Sequence, residues 1–174
     1  MRRVLIIGNA GAGKTTFGRR LAALTGLPLV HLDRLFWRGE WETKSREEFD
    51  ACLADELAKP SWILDGNFNR TIPLRLSYAD TVFFFDLPTV TCLWGITERL
   101  FRYYGKTRPD MGGYCVERLD KNKGELYRHV LSFNREHREH YRRLLAEATG
   151  VTVITFRSRK EAEAYLKAFA DRKE

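Results

Sequence analysis

The stretch that decides the fold is Gly8-Asn9-Ala10-Gly11-Ala12-Gly13-Lys14-Thr15, inside "RRVLIIGNAGAGKTTFGRRLAAL", Arg2 to Leu24. An apolar run turns abruptly into glycines and alanines, then into a lysine, two threonines and a helical pattern. The eight residues match G-x-x-x-x-G-K-[ST], the phosphate-binding P-loop. Glycine and alanine let the backbone curl so that successive N–H groups point inward, and no side chain blocks an approaching phosphate. A helix beginning at the lysine adds the positive end of its dipole. So short a pattern also occurs by chance, and its flanks must be read with it. Residues 4–7 read as a strand buried on both faces. Residues 14–25 read as an amphipathic helix with Phe17, Leu21 and Leu24 on one side and Gly26 as its cap. Gly8, Gly11, Ala12 and Gly13 then form the cradle. Lys14 reaches the β- and γ-phosphates of ATP, the Thr15 hydroxyl binds Mg2+, and Thr16 lies near the α-phosphate.

Strands and helices alternate outward from this loop. Residues 28–32 are a second strand. Ser45 with Glu48 three residues on is a capping box, which opens a helix to about residue 59. Residues 61–64 and 81–85 are further strands. Pro88 opens a helix to about residue 104, residues 125–148 form a long helix, and a strand at 151–156 precedes a helix at 158–170. The pattern predicts an α/β three-layer sandwich, a parallel sheet of five strands covered by helices on both faces. Residues 1–174 read as one domain. The glycine- and charge-rich stretch at about 104–124 is its one long irregular segment and reads as a lid inserted between two helices.

Bulk properties narrow the function classes. A chain of 174 residues with 44% hydrophobic and 30% charged residues describes a globular domain with a real core. No apolar run approaches the roughly 20 residues of a membrane span, and too few apolar residues precede Gly8 for a signal peptide. Cys52, Cys92 and Cys115 form neither a metal-type pair nor a disulfide framework, which points to a reducing cytoplasm. The net charge of +7 has competing readings. A basic surface holds nucleic acid, a cleft handling several phosphates also needs guanidinium groups, and solvated charge needs neither. Charge alone does not decide between them.

A P-loop needs a carboxylate at a neighbouring strand end to orient Mg2+. Asp65 in "WILDGNFNR" and Asp86 in "TVFFFDLP" both follow apolar strands. Asp86 has a structural role available as cap of the helix that Pro88 starts, whereas Asp65 leads into Gly66 and Asn67, a tight exit that lets a substrate come close. Asp65 is therefore the preferred metal-side residue.

With "LVHLDRLF" and "ILDGNFNRTIPLR" added to the strand–loop–helix, the chain resembles the adenylate-kinase-like P-loop kinases. The segments "HLDRLFW", "DGN", "GKTRPDM" and "RSRKE" are similar to those of the bacterial DNA topology modulation proteins, over about residues 4–166. The resemblance implies strand order 2-3-1-4-5, ATP on the P-loop and an arginine-bearing lid. It places Asp65 at the acidic position, Arg70 as an acceptor-side arginine, and Asp33 and Arg34 at the start of the acceptor-binding segment. It also puts Arg157 and Ser158 beside the adenine. The chain departs from that family in carrying Asn67-Phe68-Asn69 within its D-G-x-x-R-type segment, and Phe36, Trp37 and Trp41 make an acceptor segment unlike an AMP site.

Phosphoryl transfer between polyanions is mainly charge stabilisation with water excluded. The source of cations is "RLFRYYGKTRPD", with Arg99 assigned to the nucleotide, Arg108 to the transferring group, and Arg102, Lys106 and Arg118 nearby. Gly105, Pro109 and Gly112-Gly113 offer hinges. On the long helix Leu126, Val130, Phe133, His137, Tyr141 and Leu144 share one side, and Arg128, Arg135, Arg138 and Arg142 cluster away from it. That stripe is either solvated surface or, through Arg135 or Arg138, a second contact to phosphate. His137 reads as packing. His31 either packs or touches the acceptor, and Trp37 and Trp41 either stack on a ring or cover the core edge.

The sequence thus predicts a Mg-ATP-dependent kinase acting on a small, nucleotide-like phosphate acceptor. Lys14, Asp65, Arg70, Arg108 and Asp33 serve the chemistry, with Asp33 as base if the acceptor is a hydroxyl. The alternative is an ATP-binding regulator associated with DNA, although no helix-turn-helix, zinc or RNA-platform pattern is present.

Overall fold

The computed structural model describes residues 1–39, 41–111 and 115–172. Strand β1 (Arg3–Gly8) is the centre of the sheet. Around it lie β2 (Leu29–His31), β5 (Trp62–Asp65), β6 (Thr81–Phe85) and β7 (Thr152–Phe156) in the order β2-β5-β1-β6-β7, all parallel. Taken along the chain, those five strands run 2-3-1-4-5, as expected.

The apolar runs are continuous because both faces of the sheet are covered. In β1, Val4 and Ile6 enter one core and Leu5 and Ile7 the other, all fully buried. The first core takes Phe17 and Leu21 of α1 (Lys14–Thr25), Cys92 and Ile96 of α5 (Thr89–Tyr103), and Ala162 and Leu166 of α8 (Arg159–Asp171). Phe17 sits edge-on to Phe83, Phe85 and Phe156 with ring centroids 4.8, 5.4 and 5.3 Å away. Such pairs add about 0.5–1.5 kcal/mol beyond their buried area. The second core takes Phe49 and Leu53 of α3 (Arg46–Leu57), Ile72 of α4 (Ile72–Tyr78), Phe133 of α6 (Lys121–Glu136), and Tyr141 and Leu145 of α7 (Arg138–Glu147).

Local signals behave as their chemistry dictates. Gly26 closes α1 with φ 74° and donates its N–H to the Ala22 carbonyl at 2.8 Å. Ser45 and Glu48 cap α3 reciprocally, and Ser158 accepts the Glu161 N–H at the start of α8.

Three departures bear on the site. The segment after β2 is structured, with a short helix α2 (Leu32–Phe36) and a hairpin of β3 (Trp37–Gly39) and β4 (Glu42–Thr43). The presumed 125–148 helix begins earlier, because Asp120 accepts the Lys123 N–H at 2.9 Å and caps it there. It also breaks at His137, whose φ of −121° leaves the helical region. Val130 on one side of the break belongs to the first core and Tyr141 on the other to the second. Among the described residues no helix is long and apolar enough to cross a membrane.

Candidate active site

A cavity of about 780 Å3 opens at the carboxyl ends of the strands, floored by the glycine loop. In open parallel sheets this is where ligands bind. The loop lies directly on α5, and two glycines permit it. A Cβ on Gly11 (φ +78°) would overlap the Cys92 carbonyl, and one on Gly95 would overlap the Gly11 carbonyl. Gly95 was not foreseen. Its signal was a lone glycine inside an otherwise amphipathic helix, which usually marks close backbone approach. Gly13 (φ +104°) has open space beside it, with no heavy atom nearer than Arg159 Nε at 3.9 Å. A cradle left open by a missing Cβ, at the start of a helix, fits a phosphate chain.

Lys14 folds back over the loop, its Nζ donating to the Gly8 carbonyl at 2.7 Å and the Asn9 carbonyl at 2.9 Å. Burial lowers its pKa, and the carboxylate of Asp65 opposes that shift. Asp65 ends β5 beside Ile6 of β1. Its Oδ2 accepts the Thr15 hydroxyl at 2.7 Å and faces His31 Nδ1 at 3.0 Å. Burial alone would raise the Asp65 carboxyl, but His31, Lys14 and Thr15 outweigh it and hold the group below the ordinary value. The Gly8 N–H donates to Asn67 Oδ1 at 3.0 Å, which ties the loop after β5 to the P-loop. The Thr15 hydroxyl and Asp65 carboxylate form an oxygen-only pair, the kind Mg2+ accepts while keeping water and phosphate as its remaining ligands. Among the described residues no cluster of three or more His, Cys, Asp or Glu could hold a metal unaided.

The roof is built from residues 104–111 and 115–120, pinned by small bridges between Tyr104 and Glu117 and between Thr107 and Val116. Some of its charges point inward, while Lys106 and Arg118 stay exposed. Arg108, Asp110, Glu117 and Lys123 are all buried. Arg108 lies 3.4 Å from Asp110 and 2.9 Å from Glu117. The contact to Glu117 lacks hydrogen-bond alignment and is an ion pair only. Glu117 is fully buried and also takes the Lys123 ammonium. Arg99 on α5 joins this group. Burial and the neighbouring Arg108 charge bring its pKa down to about 10, and its Nε is buried without a partner. The hairpin reaches the roof through Trp41, whose Nε1 donates to the Val116 carbonyl at 3.3 Å and whose ring lies 5.8 Å from Lys123 Nζ. Of the expected hinges, Gly105 has a positive φ of 71°, while Gly112-Gly113 lies outside the described residues.

One wall is built by the segment after β2. Asp33 on α2 lines the cavity; its carbonyl accepts the Trp37 N–H, while its carboxylate makes no hydrogen bond or ion pair among the described residues. Burial raises its pKa, and the nearby Arg108 opposes the rise. Trp37 and Trp41 line the same wall, their rings edge-to-face at 5.4 Å and 81°. His31 lines the cavity too, turned toward Asp65.

Several expected residues lie elsewhere. Arg70 is half exposed and outside the cavity, held by the two oxygens of Asp50 at 2.9 and 2.6 Å. The buried arginine of that segment is Arg75, whose guanidinium donates to Gly66 O at 2.9 Å and to Thr71 Oγ1 at 3.1 Å and so locks the loop after β5. The one-turn offset between Arg70 and Arg75 arises because Ile72–Tyr78 is a helix that turns Arg75 inward. Arg157 also misses the cavity. Its N–H is taken by Glu161, and Arg159, two residues on, donates from its guanidinium to the Gly11 carbonyl at 2.8 Å. Thr16 lines the cavity, and Arg102 sits at its rim paired with Glu98 at 2.6 Å. Asp86 does not cap α5, which has no side-chain cap. It neutralises Arg138 and Arg142 at 2.5 and 2.8 Å. Arg135 is exposed, beside Glu136 at 3.2 Å. None of Arg34, Lys106, Arg118, Arg128, Arg135, Arg138 or Arg142 lines the cavity. His137 packs against Phe133 and Tyr141.

The strand order, the crossover from β1 through α1 to β2 and the glycine loop define the P-loop kinase fold. Solved structures agree. The chain is similar to shikimate kinase from Acinetobacter baumannii, solved with shikimate, at 19% identity and a TM-score of 0.53, over 99% of this chain and 95% of that one. It is also similar to a protein from Chloroflexus aurantiacus J-10-fl provisionally described as a kinase, at 17% identity and a TM-score of 0.55, over 98% of both chains. No protein-family model matches the chain, and no curated protein matches it in sequence. The similarity to solved structures supports the P-loop kinase fold and shows no more than that.

Proposed function

We propose that the protein is a phosphotransferase that binds Mg-ATP on the glycine loop and transfers its γ-phosphoryl group to a small-molecule acceptor held against the Trp37–Trp41 wall. The observation that carries this reading is the constellation of Lys14, Thr15 and Asp65 on the floor of a cavity roofed by Arg99 and Arg108. Bound Mg2+ would be held by Thr15 and, through water, by Asp65, and it would neutralise phosphate charge. The protein's own part is positioning and electrostatics. Loop amides and Lys14 hold the phosphate chain. Arg159 sits over the loop on the nucleotide side. The two roof arginines face the place where charge accumulates, and the roof keeps water away.

The reading as a DNA-associated regulator has less support, because Arg138 and Arg142 of the basic stripe are spent on Asp86. Titration calorimetry with Mg-ATP, alongside ADP formation with and without acceptors, tests the proposal. Binding is expected for the parent protein, and Lys14→Ala should lower transfer by about 10²–10³-fold. Absence of Mg-ATP binding, or acceptor-stimulated ADP formation equal in parent and variant, would refute it.

A further inference from the structure

The acceptor end of the cavity has its own charge balance, which bears on what it can take. Arg99, Arg108 and Lys123 face it together with the carboxylates of Asp33, Asp110 and Glu117, and Arg19 and Arg102 also line the cavity. Arg108 is committed to Asp110 and Glu117 and donates to Met111 Sδ at 2.6 Å. Lys123 is committed to Glu117. Asp110 has a further cation in Arg19 at 3.8 Å. Two of these groups remain uncommitted among the described residues. Among the described residues, Arg99 has an unpartnered buried Nε, and neither carboxylate oxygen of Asp33 has a hydrogen-bond or ion-pair partner.

A nucleoside monophosphate would bring a phosphate dianion into this end, beside Asp33 and Asp65. It needs converging guanidinium groups with free donors. Arg70, the cation expected for that task, is tied to Asp50 on the outer surface. Arg99 alone does not neutralise a dianion, and its charge is felt by Lys14 on the floor as well as by Asp33 on the wall. A hydroxyl compound fits better, because it brings a proton to give away and the wall offers an unpaired carboxylate to receive it. The edge-to-face indoles of Trp37 and Trp41 supply apolar faces suited to a ring.

We infer, resting on the phosphotransferase reading above, that the acceptor is a ring compound bearing a hydroxyl and no phosphate, and that Asp33 is the general base that takes its proton. In that step the acceptor O–H bond breaks and the proton goes to an Asp33 oxygen. The freed electron pair forms the new O–P bond to the γ-phosphorus. The bond from that phosphorus to the β–γ bridging oxygen breaks, and its electrons leave on ADP. The products are a phosphomonoester, ADP and one proton, later released from Asp33 to water.

The test uses the intact protein and Mg-ATP labelled on its γ-phosphorus. Hydroxyl probes are adenosine, thymidine, glucose, myo-inositol, shikimate and a deproteinised, phosphatase-treated metabolite extract. Phosphate probes are AMP, UMP, CMP and dTMP. The expected product is an acid-stable phosphomonoester formed from a hydroxyl probe. Asp33→Asn should lower that transfer by about 100-fold or more while Mg-ATP still binds in calorimetry. Asp33→Glu, which keeps a carboxylate, should transfer faster than Asp33→Asn. An acid-labile anhydride formed on a monophosphate overturns the inference. So does undiminished transfer by Asp33→Asn, or no labelled product from any hydroxyl probe although Mg-ATP binds. Failure of Mg-ATP binding in the parent protein refutes the phosphotransferase reading itself and is thereby distinguished from failure of this inference.

Discussion

The floor and the roof of the cavity face each other but are built on opposite principles. The floor is one contiguous piece of chain, a strand, a loop and a helix, and its shape depends on atoms that are missing. Gly11 and Gly95 let the loop settle onto α5, and few charges take part. The roof is assembled from residues spread over 99–123, and it depends on charges that are present and buried, Arg108, Asp110, Glu117 and Lys123. The floor should therefore be broken by adding a methyl group, and the roof by removing a charge. A buried ion network is weak evidence for stability, yet losing one partner is costly because the others stay buried and uncompensated. The roof is thus the more conditional structure, as a segment that closes over a reaction would be.

The largest effect is expected from Glu117→Ala. It strips the shared partner from both Arg108 and Lys123. A loss of about 3–5 kcal/mol in urea-induced unfolding is expected, and Arg108→Ala made in that background should recover part of it. If Glu117→Ala unfolds at the parent's midpoint, the roof is not held by charge.

Gly11→Ala should cost slightly less, about 1–3 kcal/mol from overpacking against the Cys92 carbonyl, with Mg-ATP affinity falling alongside. Retention of both stability and affinity would show that the loop does not need its close approach to α5.

The two carboxylates at the junction of floor and wall should respond oppositely to pH. Asp65 has a lowered pKa in the folded protein, so its contribution is complete above the ordinary value of 3.8 and is lost as pH falls through the lower folded value. Asp65→Asn should melt below the parent at neutral pH, and the gap should close in acid. Asp33 has a raised pKa, so its favourable protonated contribution is present below 3.8 and is lost as pH rises through the folded value. Asp33→Asn should melt above the parent at neutral pH and converge with it in acid. Melting temperatures across an acid-to-neutral series check both, and parallel curves for the two variants would undo the contrast. The smallest effect is assigned to Arg70→Ala, which should change neither melting temperature nor transfer. A clear loss of transfer would restore Arg70 to the acceptor site.

The P-loop, the sheet and its strand order were legible because each rests on local patterns. The continuous apolar strands, the glycine spacing, the Ser45–Glu48 box and the Gly26 cap are satisfied within a few residues of where they are read. Asp65 was legible for the same reason, since a carboxylate ending a buried strand beside β1 has one direction to face. The arginines were not. "RLFRYYGKTRPD" indicated that cations gather near the roof, but Arg108 turns inward and Lys106 stays exposed because of where Glu117 and Asp110 stand. Arg70 and Arg75 are five residues apart in one segment, and the helix that contains Arg75 turns it inward while Arg70 stays outside. Arg157 and Arg159 differ by the turn that starts α8. The role of Glu117 had no local signal at all, because a lone glutamate in a charged loop reads as solvated surface.

What the sequence by itself determined is therefore the glycine-loop floor and the sheet that carries it, because backbone geometry is written in glycine, capping residues and apolar periodicity over short spans. What only the tertiary structure decided is which charges are committed and which stay free. A guanidinium takes whichever carboxylate the fold brings within a few ångströms, and that choice is made between residues far apart along the chain.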